Sequence, residues 1–128
     1  MATISGMWPQ DEGNQLMKRY GSVISLRPEK IEEYKELHAA VWPDVLRMIK
    51  QCHIRNYSIY LRQVDDQSHY LFSYFEYTGD DFSADMAKMA ADPITQKWWS
   101  VCKPCQQPLK NRMGNEWWAD MEEVFHCD

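Results

Sequence analysis

Three features of the 128-residue chain predict an α+β fold in which helices cover one face of an antiparallel sheet. Ile54 to Arg62 alternates in the period-two pattern of a half-buried strand. Apolar residues recur at steps of three and four after Pro28 and again after Phe82, the spacing of amphipathic helices. The polar run Asp65-Asp66-Gln67-Ser68 joins the first strand to an aromatic one, Tyr70 to Tyr77, as a hairpin does. With 45% hydrophobic residues and no internal repeat, the chain has the material for one core and one domain.

Residues 1–18, with Gly6, Pro9 and Gly13 among polar neighbours, read as an N-terminal extension to a single domain over 19–128. Tyr20 to Leu26 forms the first strand. Pro28 suits a first helical turn because its missing N–H has no partner there, and Glu29, Glu32 and Glu33 offset the helix dipole. Apolar spacing continues through Val41, Val45, Leu46 and Ile49, with Pro43 bending or restarting the helix after Trp42. In the following strand Tyr57, Ile59 and Leu61 share one face, and Asn56, Ser58 and Tyr60 the other.

Gly79-Asp80-Asp81 ends the second hairpin strand. Phe82, Met86 and Met89 mark a short helix stopped near Pro93. Ile94, Trp98 and Val101 continue at helical steps until Pro104 and Pro108, and Gly114-Asn115 turns the chain into a last strand near Trp117 to Phe125. This order is the split βαβ, ferredoxin-like arrangement. Its open sheet face would expose aromatic residues of Tyr70 to Phe75, so a homodimer paired sheet to sheet is expected.

A net charge of -5 and a pI near 5.3 give no basic field, which argues against nucleic acid or an anionic membrane as partner. No signal peptide or membrane span is read, so a cytoplasmic location is expected. Four cysteines without a secretion signal are expected to be reduced thiols. Cys102-Lys103-Pro104-Cys105 has the spacing of a redox pair or half a zinc site, but only His126 and Cys127 are left to complete a metal site. Adjacent residues on a strand point apart, so no metal is expected. Phosphate-binding glycine loops, a Gly-x-Ser-x-Gly elbow and a His-Glu-x-x-His pair are all missing.

What remains is a polar and aromatic palette. Ile31, Tyr34, His38 and Val41 lie at the spacing of one helical stripe, so a phenol and an imidazole converge on a face that otherwise reads as core. A histidine so placed is more often a core residue than a catalyst. Seven tyrosines and six tryptophans suit a sugar, whose C–H faces pack on aromatic rings while hydroxyl and imidazole groups address its oxygens. Trp98 and Trp99 differ by about 100° around a helix, so both border a pocket only at its edges. Trp42, Trp117 and Trp118 are assigned to packing or a dimer interface, and His53, His69 and His126 to structural roles.

Tyr34-Lys35-Glu36-Leu37-His38, Val41-Trp42-Pro43, Asn56-Tyr57-Ser58-Ile59-Tyr60, Gln96-Lys97-Trp98-Trp99 and Glu123-Val124-Phe125 occur in one order. Together they resemble the signature of the L-rhamnose mutarotase family, from about Tyr20 to the C-terminus. The resemblance implies a dimeric ferredoxin-like α/β barrel that interconverts the α and β anomers of a 6-deoxy-L-hexose, L-rhamnose or L-fucose, without a cofactor. It makes His38 the proton donor and places Tyr34, Tyr57, Trp98 and Trp99 around the monosaccharide. Ala39-Ala40 departs from the family's Asn-Pro, and a more continuous helix is expected there. Cys102, Cys105, the N-terminal extension and Trp117-Trp118 also lie outside the familiar pattern.

Mutarotation needs an acid and a base together, and histidine, with an ordinary pKa of about 6.5, can serve near neutral pH. The expectation is that His38 serves the ring oxygen while Tyr34 or Tyr57 handles the second proton. Two other classes share the fold or the palette: dimeric ferredoxin-like monooxygenases and haem-binding proteins, and non-catalytic sugar-binding modules.

Overall fold

In the computed structural model, which describes residues 17–128, the first strand of the chain lies in the middle of the sheet. Strand β1 (Lys18–Leu26) is flanked by β3 (His69–Tyr77) on one side, and β2 (Ile54–Gln63) lies beyond β3. On its other side β1 pairs with two short strands, β4 (Gln106–Gln107) and β5 (Ala119–Met121). Every pairing is antiparallel. This is the ferredoxin-like topology expected from the order of elements. The expected extension lies outside the described residues except at its end, where Lys18 already begins β1.

Four helices pack on one face: α1 (Ile31–Ala39), entered through a 3-10 turn at Pro28–Lys30, α2 (Pro43–Gln51), α3 (Phe82–Ala91) and α4 (Pro93–Cys102). Ile24 and Leu26 of β1 and Leu71 of β3 form a buried cluster with Tyr34 of α1. A second cluster joins Val45 of α2 to Trp98 and Cys102 of α4. Glu29, Glu32, Glu33 and Glu36 are exposed and make a solvated acidic face.

Four expectations need correction. Helix α1 does not run on through Ala39-Ala40: Ala40 leaves helical geometry at φ -145°, and Val41 therefore lies beyond the helical stripe. Pro43 bars the helix from passing Trp42, which it holds extended (ψ 134°), and starts a new helix, so the helix propensity of two alanines cannot carry α1 onward. The last strand is only Ala119–Met121, because the chain leaves β1 after pairing with Gly21. The two-residue β4 was not foreseen. Lastly, β2 does not alternate throughout, because its ladder slips between Arg55 and Ser58.

That slip is a β-bulge. Ile54 pairs with Tyr77 and Ser58 with Tyr74, so Asn56 and Tyr57 together stand opposite Phe75. Asn56 takes up the extra residue at φ 50°, left-handed backbone that asparagine tolerates better than most residues, and its side chain donates to Glu76 at 2.7 Å. The bulge lets Ile54 and Tyr57 share the helix-covered face although they are an odd number apart.

Candidate active site

Helix α1 presents Tyr34 and His38 one turn apart. Their rings stack with centroids 4.0 Å apart, and His38 Nδ1 lies 2.9 Å from the Tyr34 carbonyl oxygen. A carbonyl only accepts, so Nδ1 carries the hydrogen and a neutral imidazole keeps Nε2 as an unprotonated acceptor. Desolvation lowers the pKa of His38 from its ordinary 6.5, and the bond to the Tyr34 carbonyl offsets only part of that effect. The imidazole is therefore neutral at neutral pH.

Helix α4 supplies the tryptophans. Pro93 starts it, and Asp92 caps it by accepting from the Thr95 N–H at 2.8 Å. Trp98, 7% exposed, meets the edge of His38 at 5.2 Å and Trp42 at 5.1 Å. Trp99 lies toward the rim, where the Lys103 ammonium sits 5.8 Å from its ring and 5.3 Å from that of Trp117. Tyr57 reaches the same space from the bulged strand and packs edge-on against Phe75 at 5.4 Å.

These walls enclose a cavity of about 300 Å³ that all five expected residues line: Tyr34, His38, Tyr57, Trp98 and Trp99. It opens into a groove of about 610 Å³ that shares His38, Tyr57 and Trp98. Phe75, Met86 and Met89 form an apolar wall. Among the described residues, the lining includes the cation Lys103 and no carboxylate, so nothing acidic raises the pKa of His38. Tyr57 remains partly open to solvent, yet loss of hydration in the cavity raises its phenol to about 12. Burial, followed by the field of Tyr57, raises that of Tyr34 further. Both phenols are protonated at neutral pH.

Several lining residues lay outside the sequence reading of the site, among them Gln106, Trp117 and Trp118. Gln106 is a buried polar residue of β4, 5% exposed, and bridges Trp117 to Tyr34; Trp117 and Trp118 line the cavity as well as packing against the core. The tryptophan pair was itself a signal, but Gln106 had none, because only the third dimension sets it beside Tyr34. Cys102 and Cys105 are buried free thiols. Desolvation raises Cys102 to about 12 and Cys105 upward as well, which disfavours the thiolate needed for redox or metal chemistry. Among the described residues no group of three or more His, Cys, Asp or Glu side chains is placed to hold a metal ion. None of the described helices is long and apolar enough to cross a membrane.

Comparison with known proteins gives the family and supports the fold. The profile of the family described as L-rhamnose mutarotase matches residues 19–127. The chain is 36% identical over 112 residues to an L-rhamnose mutarotase of Oceanobacillus iheyensis, covering 88% of this chain and 100% of the relative. A Bacillus subtilis L-rhamnose mutarotase is 31% identical with the same coverage. Among solved structures, an L-rhamnose mutarotase of Formosa agariphila superposes with a TM-score of 0.64 at 23% identity, over 87% of this chain and 99% of that one, which supports the fold.

Proposed function

The chain belongs to the L-rhamnose mutarotase family, and from that premise we propose that it interconverts the α and β anomers of L-rhamnose by acid/base opening and closure of the pyranose ring. The supporting observation is a neutral His38 with Nε2 free, in one cavity with two protonated phenols. Opening breaks the C1–O5 bond. A proton leaves the anomeric hydroxyl as another reaches the ring oxygen, and after rotation about C1–C2 the ring closes on the other face of the carbonyl.

In place of the ring oxygen expected from the sequence, His38 is assigned the anomeric hydroxyl, because its Nε2 is an unprotonated acceptor: it takes that proton on opening and, as the imidazolium, is the proton donor on closure. The phenol of Tyr34 or Tyr57 gives a proton to the ring oxygen and recovers it when the ring closes. A positioned acid or base of this kind is worth about 100- to 10,000-fold. Trp98 and Trp99 pack on the C–H faces of the sugar, and the Phe75–Met86–Met89 wall receives its C6 methyl group. L-fucose presents the same methyl and differs at C2 and C4, so it is the natural competitor.

Two further parts belong to this reading. The chain works as a homodimer paired through the open sheet face, where Tyr60 is 66% exposed and Tyr70, Phe72 and Tyr74 are half-buried. It works in the cytoplasm, a reducing compartment that suits its free thiols.

Anomeric-proton saturation-transfer NMR on L-rhamnose and L-fucose, with wild type and His38→Asn, tests the reaction. Wild type is expected to exchange L-rhamnose anomers faster than buffer does, and His38→Asn to lose about 100-fold or more. Sugar line-broadening without exchange would make the protein a binding module, and a fully active His38→Asn would remove His38 from the mechanism. Light scattering after size exclusion tests the dimer, which a pure monomer at micromolar concentration would overturn.

A further inference from the structure

The Tyr34 hydroxyl is held by a chain of two hydrogen bonds that starts at an indole. Trp117 Nε1 donates to Gln106 Oε1 at 2.8 Å, and Gln106 Nε2 donates to the Tyr34 hydroxyl oxygen at 3.3 Å. An indole N–H can only donate, so it fixes which way the Gln106 amide faces. The Tyr34 oxygen is thereby an acceptor, and its own proton must point elsewhere. Both Tyr34 and Gln106 are 5% exposed, and both line the cavity, so the open direction is into it.

Backbone contacts keep this chain in place. Gln106 pairs with Leu26 of β1, and the Arg27 N–H donates to the Cys105 carbonyl at 2.9 Å. The Glu116 carboxylate accepts from the N–H groups of Met113 and Asp120, both at 3.3 Å, which closes the turn that carries Trp117.

We propose that Gln106, held in one orientation by Trp117, is a positioning residue that aims the Tyr34 proton at the ring oxygen of the bound sugar. The inference rests on the mutarotase reading above and selects Tyr34 over Tyr57 for the second proton. On opening, the Tyr34 O–H bond breaks as the new O5–H bond forms, and the C1–O5 electron pair goes to O5. The anomeric proton goes to His38 Nε2, and O1 becomes the carbonyl oxygen. The Gln106 N–H stays on the phenolate oxygen until closure returns its proton.

The test is anomer exchange on L-rhamnose with Gln106→Leu, Gln106→Glu, Trp117→Phe and Tyr34→Phe, with folding checked by circular dichroism and Tm. Gln106→Leu is expected to lower kcat about tenfold with KM within about twofold of wild type. Gln106→Glu is expected to lose more at neutral pH, because a carboxylate accepts from both Trp117 and Tyr34 and turns the phenol proton away from the sugar. That extra loss, relative to wild type at each pH, should shrink as the carboxylate is protonated.

Trp117→Phe keeps a ring in place but frees the amide to turn, so its loss falls between wild type and Gln106→Leu, and it serves as the test if a Gln106 variant does not fold. Wild-type kcat in Gln106→Leu or in Trp117→Phe overturns the proposal. So does a Gln106→Glu enzyme more active than Gln106→Leu with no pH-dependent difference, the order that a packing role gives. Wild-type kcat in Tyr34→Phe overturns it too and leaves the His38 chemistry standing, whereas a wild-type enzyme without exchange overturns the mutarotase reading beneath it.

Discussion

His38 donates its Nδ1–H to the main-chain carbonyl of Tyr34 at 2.9 Å while the Tyr34 ring stacks on the imidazole at 4.0 Å. One residue thus selects the tautomer of its neighbour with its backbone and shields it from water with its side chain. The second effect wins, and the imidazole is less basic than in water.

This sets the acid limb of activity. The base form of His38 persists to lower pH than in an ordinary histidine, so the acid fall in kcat/KM should be centred below pH 6.5. A pH profile of anomer exchange checks it, and a limb centred above 6.5 would contradict a neutral resting imidazole. Stability follows the same sign. Below about 6.5 the unfolded chain binds a proton that the folded one refuses, so this contribution is complete above 6.5 and is lost as pH falls toward the lowered folded value. Urea midpoints for wild type should therefore fall faster below pH 6.5 than those of His38→Asn.

The bulge at Asn56 gives a second outcome. Asn56→Val puts a β-branched residue at φ 50° and removes the bond to Glu76, at an expected cost of about 1–3 kcal/mol in urea unfolding. With Asn56 deleted, Tyr57 stands two residues from Ile54 and keeps the helix-covered face in a regular ladder, so anomer exchange by this variant should stay well above that of Tyr57→Phe.

The Asp85 carboxylate, which is not among the cavity-lining residues, accepts from the Tyr77 hydroxyl at 2.5 Å and meets His53 Nδ1 at 2.9 Å. The Tyr77 bond, followed by that to His53, holds Asp85 below its ordinary 3.8. Its contribution is present above 3.8 and lost as pH falls through the depressed value. Asp85→Asn should lower Tm at neutral pH, flatten the acid dependence below pH 4 and leave kcat unchanged, which thermal melts and the exchange assay check together.

Leu71, 2% exposed, packs with Ile24, Leu26 and Tyr34 under α1. Leu71→Ala should lower unfolding free energy by about 2–5 kcal/mol through lost burial and the cavity left behind, measured by urea titration.

Much of this architecture was legible because it rests on periodicity. Tyr57, Ile59 and Leu61 marked the inner face of β2, Pro28 and Pro43 marked helix starts, and Pro93 marked the stop of the helix before it, each of which the structure places at or beside them. The misses share a physical cause. Ala39-Ala40 favours helix locally, but Pro43 requires an extended residue before it, so the stop was encoded downstream of where it occurs. Ile54 stood out of phase with Tyr57, and that conflict, beside an asparagine, was the only trace of the bulge. Gln106-Gln107 has no strand pattern, since β1 and the 3-10 turn at Lys103–Cys105 hold it in place. The expected site residues converge because helix α1, the bulge and helix α4 bring them to one cavity, whereas the link from Trp117 to Tyr34 runs through Gln106, which has no sequence signal.

The central position of β1 also orders the birth of the molecule. Ser22 meets Ser73 across fifty-one residues, and Val23 waits for Ala119. A ribosome therefore releases the middle of the sheet long before either neighbour, and the core between sheet and helices closes only after nearly the whole chain has emerged. A message cut short before Ala119 would leave the backbone of Gly21 to Val23 open to strands of other chains, so nascent truncated products should clump rather than fold into a smaller enzyme.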